Sequence, residues 1–414
     1  MVDTTQSREP AQTLKVSLAL ASQAFQRDVA KALGRHHMLA KVFSMGRDVE
    51  VLEPDESGEL RLCRRYSHYK LANRLLWAAW RRLPFSDRAR HFPVVVATGY
   101  VDWLFSRTMP ASDIYHGWTG MCRAGLQAAK CHNTITMIEN PSMHPRHWQA
   151  AGLRECETWG VPRHQSRSLL PEALVRRMEA EFEIGDFIVV PSNVAAKSFE
   201  QAGLGHKALV MHAAADARFL APLKPVEQRR TFRVCYAGRV ELAKGVPYLL
   251  EAWKKLSLKN AELILVGEVS PDMATVISRY GSTSVRFEGY VPAERLSELY
   301  RSADLFAFPS VNEGLARVLL ESMASGLPVV ATDCSGAADC VTSGVDGTVI
   351  PPRDSDALAS ALLWHYENRD ATRAMGSAAR MKVESYFTIE HYVQRMLCTY
   401  ARLAGSRYAA EGSR

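Results

Sequence analysis

The chain has 414 residues, 47% of them apolar and 23% charged, which is too rich in core-forming side chains for a disordered polypeptide. At ~100–200 residues per domain the length predicts two domains. Its 51 basic and 44 acidic side chains give a formal charge of +7. No run reaches the ~18 apolar residues that span a bilayer, the acid- and Pro10-bearing start does not read as a signal peptide, and eight cysteines without a C-x-x-C pair argue against disulfides or zinc and for reduced thiols in a cytoplasmic chain.

In chain order, short β-branched runs alternate with helical stretches of ~10–15 residues, the pattern of parallel sheet covered by helices. Strands are predicted over residues 14–20, 38–44, 93–97, 113–115, 134–139, 187–190 and 208–211. The rhythm restarts over 232–237, 261–266, 285–288, 305–308, 328–332 and 347–350. Residues 221–231, with two prolines and mixed charge, read as a linker. The expected architecture is α/β, with two facing Rossmann-like doubly wound domains, 1–222 and 232–386, and a cleft between them. A final helical stretch, about 389–403 within 387–405, has the option of packing back on the first domain, which periodicity leaves open.

Charge is divided unevenly between these halves. Residues 1–225 hold 29 basic and 22 acidic side chains, and residues 226–414 hold 22 of each. The excess is concentrated in residues 61–91, with nine basic groups against Asp87. An anionic partner is expected there: a phosphate-bearing substrate, a lipid surface or, third, nucleic acid, for which no recognition motif is present. Within it, residues 69–83 form an amphipathic pattern with Trp77 and Trp80 at the boundary. It suits either an anionic membrane interface or a core-packed helix with a solvated face.

Ligands of doubly wound domains bind at the carboxyl ends of strands. After the 232–237 strand come Gly238-Arg239 and then Lys244-Gly245, opening a helix. A tight glycine turn, two cations and a helix N-terminus together suit a diphosphate, although the same residues also fit an ordinary loop with solvated charges. After the 305–308 strand, Glu313-Gly314 lie in a short loop and Glu321 on a helix expected from about 316 to 324. Two carboxylates so placed can hold vicinal hydroxyls, or serve only as a helix-end charge and a solvated position. Asp354-x-Asp356 sits at a helix start, where N-capping is the expected role.

Together these segments (AGR…KG, LVGE, VRFEGYV, FPSVNEGLARVLLESMASGLPVVATDCSGAADCV and GVDGTVIPP) resemble the nucleotide-sugar-dependent glycosyltransferases of family 4, which have GT-B architecture. The likeness is dense over 232–352, continuous but weaker over 187–219, and one of layout before that. It implies retaining transfer of a sugar to an acceptor hydroxyl, without a cofactor or catalytic metal. The acceptor is expected to be a sugar or lipid-linked, in polysaccharide or glycolipid synthesis at the cytoplasmic side of a membrane that residues 61–91 would touch peripherally.

By the same resemblance, Arg239 and Lys244 would bind the donor diphosphate. Glu313, with the N–H groups of Gly314 and Leu315, would hold the donor sugar. Glu321 would take the ribose, and the backbone at Tyr290–Val291 would meet the base. His116 would lie near the donor sugar just after a strand, although a lone histidine there also fits a structural role; by position alone, Glu139 at the end of the next strand and His144, with Arg146 close by, are candidates to touch acceptor or donor. The chain departs from the family pattern at Ala21-Ser22-Gln23-Ala24-Phe25, where a glycine pair is usual, at Leu315-Ala316-Arg317, and at the sequence HAAAD ending in Asp216. Rival readings on the same architecture are a nucleotide-sugar epimerase, a phosphorylase, and a catalytically silent nucleotide-binding scaffold.

Overall fold

Residues 14–21, 24–45, 49–63, 92–166, 168–221 and 231–411 are described by the computed structural model. The predicted linker and the basic helical pattern at 69–83 therefore lie outside the described residues, except for the linker's two ends. So do Ser22 and Gln23 of the first departure loop.

The N-terminal half builds one sheet from β1 (Val16–Ala21), β2 (Leu39–Met45), β3 (Val49–Pro54), β4 (Leu60–Leu62), β5 (Ile114–Trp118), β6 (Ile135–Glu139), β7 (Phe187–Val190) and β8 (Ala208–Val210). The strand order is β4-β3-β2-β1-β5-β6-β7-β8. All pairs are parallel except β2–β3 and β3–β4, which are antiparallel. Helices α1 (Ala24–Arg35), α2 (Phe92–Ser106), α3 (Arg123–Cys131), α4 (Pro145–Thr158), α5 (Glu172–Ile184) and α6 (Asn193–Gln201) surround it. Side chains of a strand alternate between faces, and β5 shows the result. Tyr115 joins a core with Phe105, Leu126, Phe182 and Phe199. Ile114 joins the opposite core, which contains Val29, Leu33, Tyr392, Met396 and Tyr400.

Two sequence expectations are corrected here. The 93–97 run is not a strand but part of α2. An unbroken apolar run does not distinguish the two states, but the burial of Val101 and Phe105 against the exposure of Tyr100 and Trp103 follows a helical face. The antiparallel β3–β4 pair was not expected. Its turn is shaped by Asp55, whose carboxylate accepts from the backbone N–H groups of Ser57 and Glu59, with Gly58 at φ 82°.

The C-terminal half is a wholly parallel sheet of β9 (Phe232–Ala237), β10 (Ala261–Val266), β11 (Val285–Gly289), β12 (Leu305–Phe308), β13 (Val329–Thr332) and β14 (Gly347–Ile350), in the order β11-β10-β9-β12-β13-β14. It is covered by α7 (Val246–Leu256), α8 (Ala274–Tyr280), α9 (Ala293–Arg301), α10 (Arg317–Ala324), α11 (Ser355–Glu367) and α12 (Arg369–Tyr386). Strands buried on both faces read as unbroken hydrophobic runs, and β9, β12 and β13 are buried almost throughout. Asp354 caps α11, accepting from Asp356 N and Ala357 N at 3.0 and 2.8 Å. The last helix, α13 (Ile389–Glu411), leaves this domain and packs on the N-terminal one: Tyr392, Met396, Tyr400 and Leu403 join the core that contains β1 and α1. Among the described residues no helix is long and apolar enough to cross a membrane.

Candidate active site

In the C-terminal sheet the strand order reverses between β9 and β12, and the loops that follow these two strands open at that crevice. This is where an open α/β sheet binds ligands. The loop after β9 starts at Gly238 (φ 143°) and runs through a short helical turn, Leu242–Lys244, to Gly245 (φ 67°), which precedes the first turn of α7. A Cβ on Gly245 would overlap the carbonyl oxygen of Pro309 in the loop after β12. Glycine is therefore required both for the left-handed backbone and for the contact between the two loops.

Lys244, buried, forms an ion pair with Glu313 across these loops. Arg239, half exposed, lies 3.2 Å from the Glu241 carboxylate, which is 0% exposed. Burial pushes the Glu241 carboxyl above the usual carboxylate range, against the pull of Arg239 and Lys244. Glu241 senses Arg239, Lys244 and Glu313 alike, so these groups form one electrostatic cluster at the N-terminus of α7. Tyr236 braces it from below, its hydroxyl donating to the Arg239 carbonyl at 2.7 Å. Among the described residues, the N–H groups of Gly314 and Leu315 have no hydrogen-bond partner.

Glu321 is set apart. It lies on α10 with Arg317 at 3.6 Å, and Asp216 and Arg218 are its further charged neighbours. Burial raises its pKa above that of an ordinary carboxyl. Tyr290, following β11, is 87% exposed, and the adjacent Val291 packs on the C-terminal core.

The N-terminal domain closes over the cluster. Trp148 of α4 lies beneath Lys244, the Nζ 5.6 Å from the ring centroid. The Gly314 carbonyl accepts from Ser192 Oγ at 2.5 Å, and a Cβ on Gly314 would overlap Pro141 O and come within 2.7 Å of Pro191 Cγ. Away from the cluster, buried Glu155 of α4 accepts from Arg353 Nε at 2.6 Å and from the Tyr248 hydroxyl at 3.0 Å. Asn193 at the start of α6 donates twice to Asp339.

Three expectations in the N-terminal half change on this geometry. His116 lies inside β5 rather than after it and is buried beneath α13. Its Nδ1 is 2.7 Å from Tyr400 Oη and its Nε2 is 3.1 Å from Glu139. Glu139 also accepts from the Tyr392 hydroxyl at 3.3 Å, so these groups tie α13 to the sheet. His144 is the N-cap of α4, its ring packed against Phe182 and Phe199, and burial lowers its pKa. Arg146 is engaged by Glu172 and Glu179 on α5. Sequence reasoning missed Glu241 and Trp148. An acid two residues after Arg239 was the available signal for the first, whereas a contact between domains left none for the second.

Solved structures share this two-domain arrangement. The sucrose-phosphate synthase of Thermosynechococcus elongatus superposes with a TM-score of 0.68 at 18% identity, covering 95% of this chain and 100% of that one. Anabaena Alr3699/HepE, solved in complex with UDP, gives 0.59 at 17% identity over 94% and 100%. Residues 231–368 match the family model described as glycosyl transferases group 1. The amylovoran biosynthesis glycosyltransferase AmsK of Erwinia amylovora is 30% identical over 176 residues, which are 40% of this chain and 43% of that protein. The chain spans less than half the length of the curated relatives it matches. The fold is that of the GT-B glycosyltransferases. Within the C-terminal domain, residues 231–368 are similar to the group 1 glycosyl transferases.

Proposed function

We propose that the chain is a retaining glycosyltransferase that moves a sugar from a nucleotide-sugar donor to an acceptor hydroxyl in polysaccharide or glycolipid synthesis. The observation that carries this reading is the pairing of Lys244 with Glu313 at the N-terminus of α7, beside Arg239, at the point where the strand order reverses. The UDP bound by HepE and the amylovoran role in the name of AmsK support the donor class and the kind of product.

Each site cation faces a carboxylate, Arg239 that of Glu241 and Lys244 that of Glu313. A nucleoside diphosphate takes the place of those carboxylates, with Arg239, Lys244 and the start of α7 around its phosphates. Glu313 is then free to accept from hydroxyls of the transferred sugar, with the N–H groups of Gly314 and Leu315 as further donors. Glu321 meets the ribose, and the backbone at Tyr290–Val291 meets the base. The anomeric C–O bond breaks, the electron pair stays on the β-phosphate oxygen, and the acceptor oxygen bonds to the anomeric carbon on the same face. The acceptor's proton passes to the departing phosphate, so no side chain is needed as a base. Fixed cations stabilise this developing charge without reorganising, and they supply the countercharge that a divalent metal would otherwise provide. Peripheral contact of residues 61–91 with anionic lipid at the cytoplasmic face belongs to the same proposal.

Thermal unfolding in the presence of UDP, GDP, ADP and their sugar conjugates tests the reading. A ligand held at 100 times its Kd stabilises the folded form by about 2.7 kcal/mol. One base is expected to raise the Tm, and its sugar conjugate to raise it further. A Tm unmoved by every nucleotide would refute the proposal.

A further inference from the structure

We infer that Glu241 is a positioning residue for donor binding: it holds Arg239 in an ion pair and takes up a proton from solvent when a donor diphosphate claims that guanidinium. The inference rests on the glycosyl-transfer reading. It adds a residue that never touches the donor, and a proton that is bound together with the donor.

Glu241 stands at the N-cap of the Leu242–Lys244 turn, where an acidic side chain ordinarily accepts from free backbone N–H groups. Its side chain caps none of them. Apart from the Arg239 guanidinium at 3.2 Å, neither of its buried carboxylate oxygens has a hydrogen-bond donor among the described residues. A buried carboxylate stays charged only where countercharge and hydrogen bonds offset its lost hydration. For Glu241 that offset comes chiefly from one half-exposed arginine, which is within reach of a ligand.

The charges facing Glu241 come from three loops. Arg239 and Lys244 share its own, Asp272 lies in the loop after β10, and Glu313 in the loop after β12; the neighbouring phenol is that of Tyr236 on β9. Two cations therefore meet three carboxylates, an excess of one negative charge. The start of α7 offsets about half a charge. The diphosphate of a nucleotide sugar brings further negative charge into the same cluster. Like charges this close disfavour each other's ionised forms, so one of the acids is neutralised.

Their surroundings select Glu241. Glu313 is partly exposed, and water screens its charge. Asp272 is buried, but the hydroxyls of Ser166 and Ser270 beside it favour its ionised form. Glu241 has no such neighbours, and burial already holds its carboxyl above the usual range. Once Arg239 turns its N–H groups to the phosphates, the carboxylate loses its contact countercharge. A solvent proton then converts it to a carboxylic acid, and Arg239 keeps its full charge for the diphosphate.

The sign of the pH dependence follows. The complex holds this proton more tightly than the free chain does. Donor affinity is therefore greatest at pH below the Glu241 value of the free chain. It declines with rising pH, by at most about tenfold per pH unit, until the value in the complex is passed.

UDP-glucose, GDP-mannose and ADP-glucose, whose diphosphates do not titrate near neutrality, are the probes for calorimetric titration of the full chain in PIPES and in Tris at pH 7.5. The one that binds is expected to take up roughly half a proton to one proton. The binding heat is then less exothermic in Tris, which gives up its proton at the greater enthalpic cost, and the Kd rises with pH. Glu241→Gln is expected to bind with equal heats in both buffers and a Kd that no longer follows pH. Glu241→Met, which needs no polar partner, takes its place if the glutamine variant fails to fold. A purely structural Glu241 would change the stability of these variants without changing the buffer dependence. Equal heats in both buffers for the wild type, or proton uptake that survives in a folded variant, would overturn the inference and leave the donor reading standing. Binding of none of the three nucleotide sugars overturns the donor reading itself, and this inference with it.

Discussion

In the proposed reaction Lys244 carries a large share of the chemistry for one side chain. It sits at the positive end of α7, is paired with Glu313, and rides over the Trp148 ring. Removing one preorganised charge from a site where negative charge develops typically costs ~10²–10³ in rate. Lys244→Ala is therefore expected to lower kcat by that factor while the urea midpoint shifts little, because Glu313 is partly exposed and keeps access to water. Wild-type turnover in a folded Lys244→Ala enzyme would remove the lysine from the mechanism. This residue, with Arg239 and Glu313, was legible in the sequence because each follows a strand closely and brings a charge to a place where loops meet. His116 was misplaced by a small boundary error: β5 runs on to Trp118, which moves the imidazole from a strand end into the core.

Among the elements, the start of α3 is held in an unusual way. Asp102 of α2 accepts from Ala124 N and Gly125 N, Glu181 of α5 accepts from Gly120 N and Cys122 N, and Arg177 bridges the two carboxylates. Burial outweighs these partners, pushing Asp102 up to about 6 and Glu181 to about 7. The ordinary values are 3.8 and 4.5, so across the interval up to about pH 7 the folded chain binds more protons than the unfolded one. Stability from this pair is greatest at the acidic end and falls as pH rises through the window, by at most about 1.4 kcal/mol per pH unit for each proton. Urea midpoints measured between pH 5 and pH 8 should show that decline, and Asp102→Asn should flatten it. A slope identical to wild type would mean that Asp102 is ionised throughout. The helix holding Asp102 was read from sequence as a strand at its beginning, so the residue's partners on α3 and α5 were out of reach of any spacing argument.

At the scale of the whole molecule, the two domains face each other across contacts that include the buried carboxylate of Glu155. It is fully buried, and its two oxygens accept from Arg353 and from Tyr248 of the other domain. Removing one partner of a buried ion pair costs ~3–5 kcal/mol, because the other charge is left without compensation. Glu155→Ala is expected to shift the free chain toward open arrangements, read as a larger radius of gyration in solution scattering, whereas Tyr248→Phe should have a smaller effect of about 1 kcal/mol. An unchanged scattering profile in Glu155→Ala would show that other contacts suffice to hold the cleft shut. Two facing domains were legible from the repeated strand rhythm. Their contacts were not, because nothing in a local pattern records which surfaces meet.

The return of α13 to the N-terminal domain bears on how such a protein can be recombined. The first half of the chain completes one of its apolar cores with Tyr392, Met396, Tyr400 and Leu403 from the far end of the sequence. An exchange of C-terminal domains between related chains must cut at two places, ahead of Phe232 and behind Phe387, and keep the tail with its original host. A single crossover in the linker would leave one apolar flank bare and the other covered by a stranger's helix. Inheritance by a single cut is thereby discouraged, and the two halves are bound to change together.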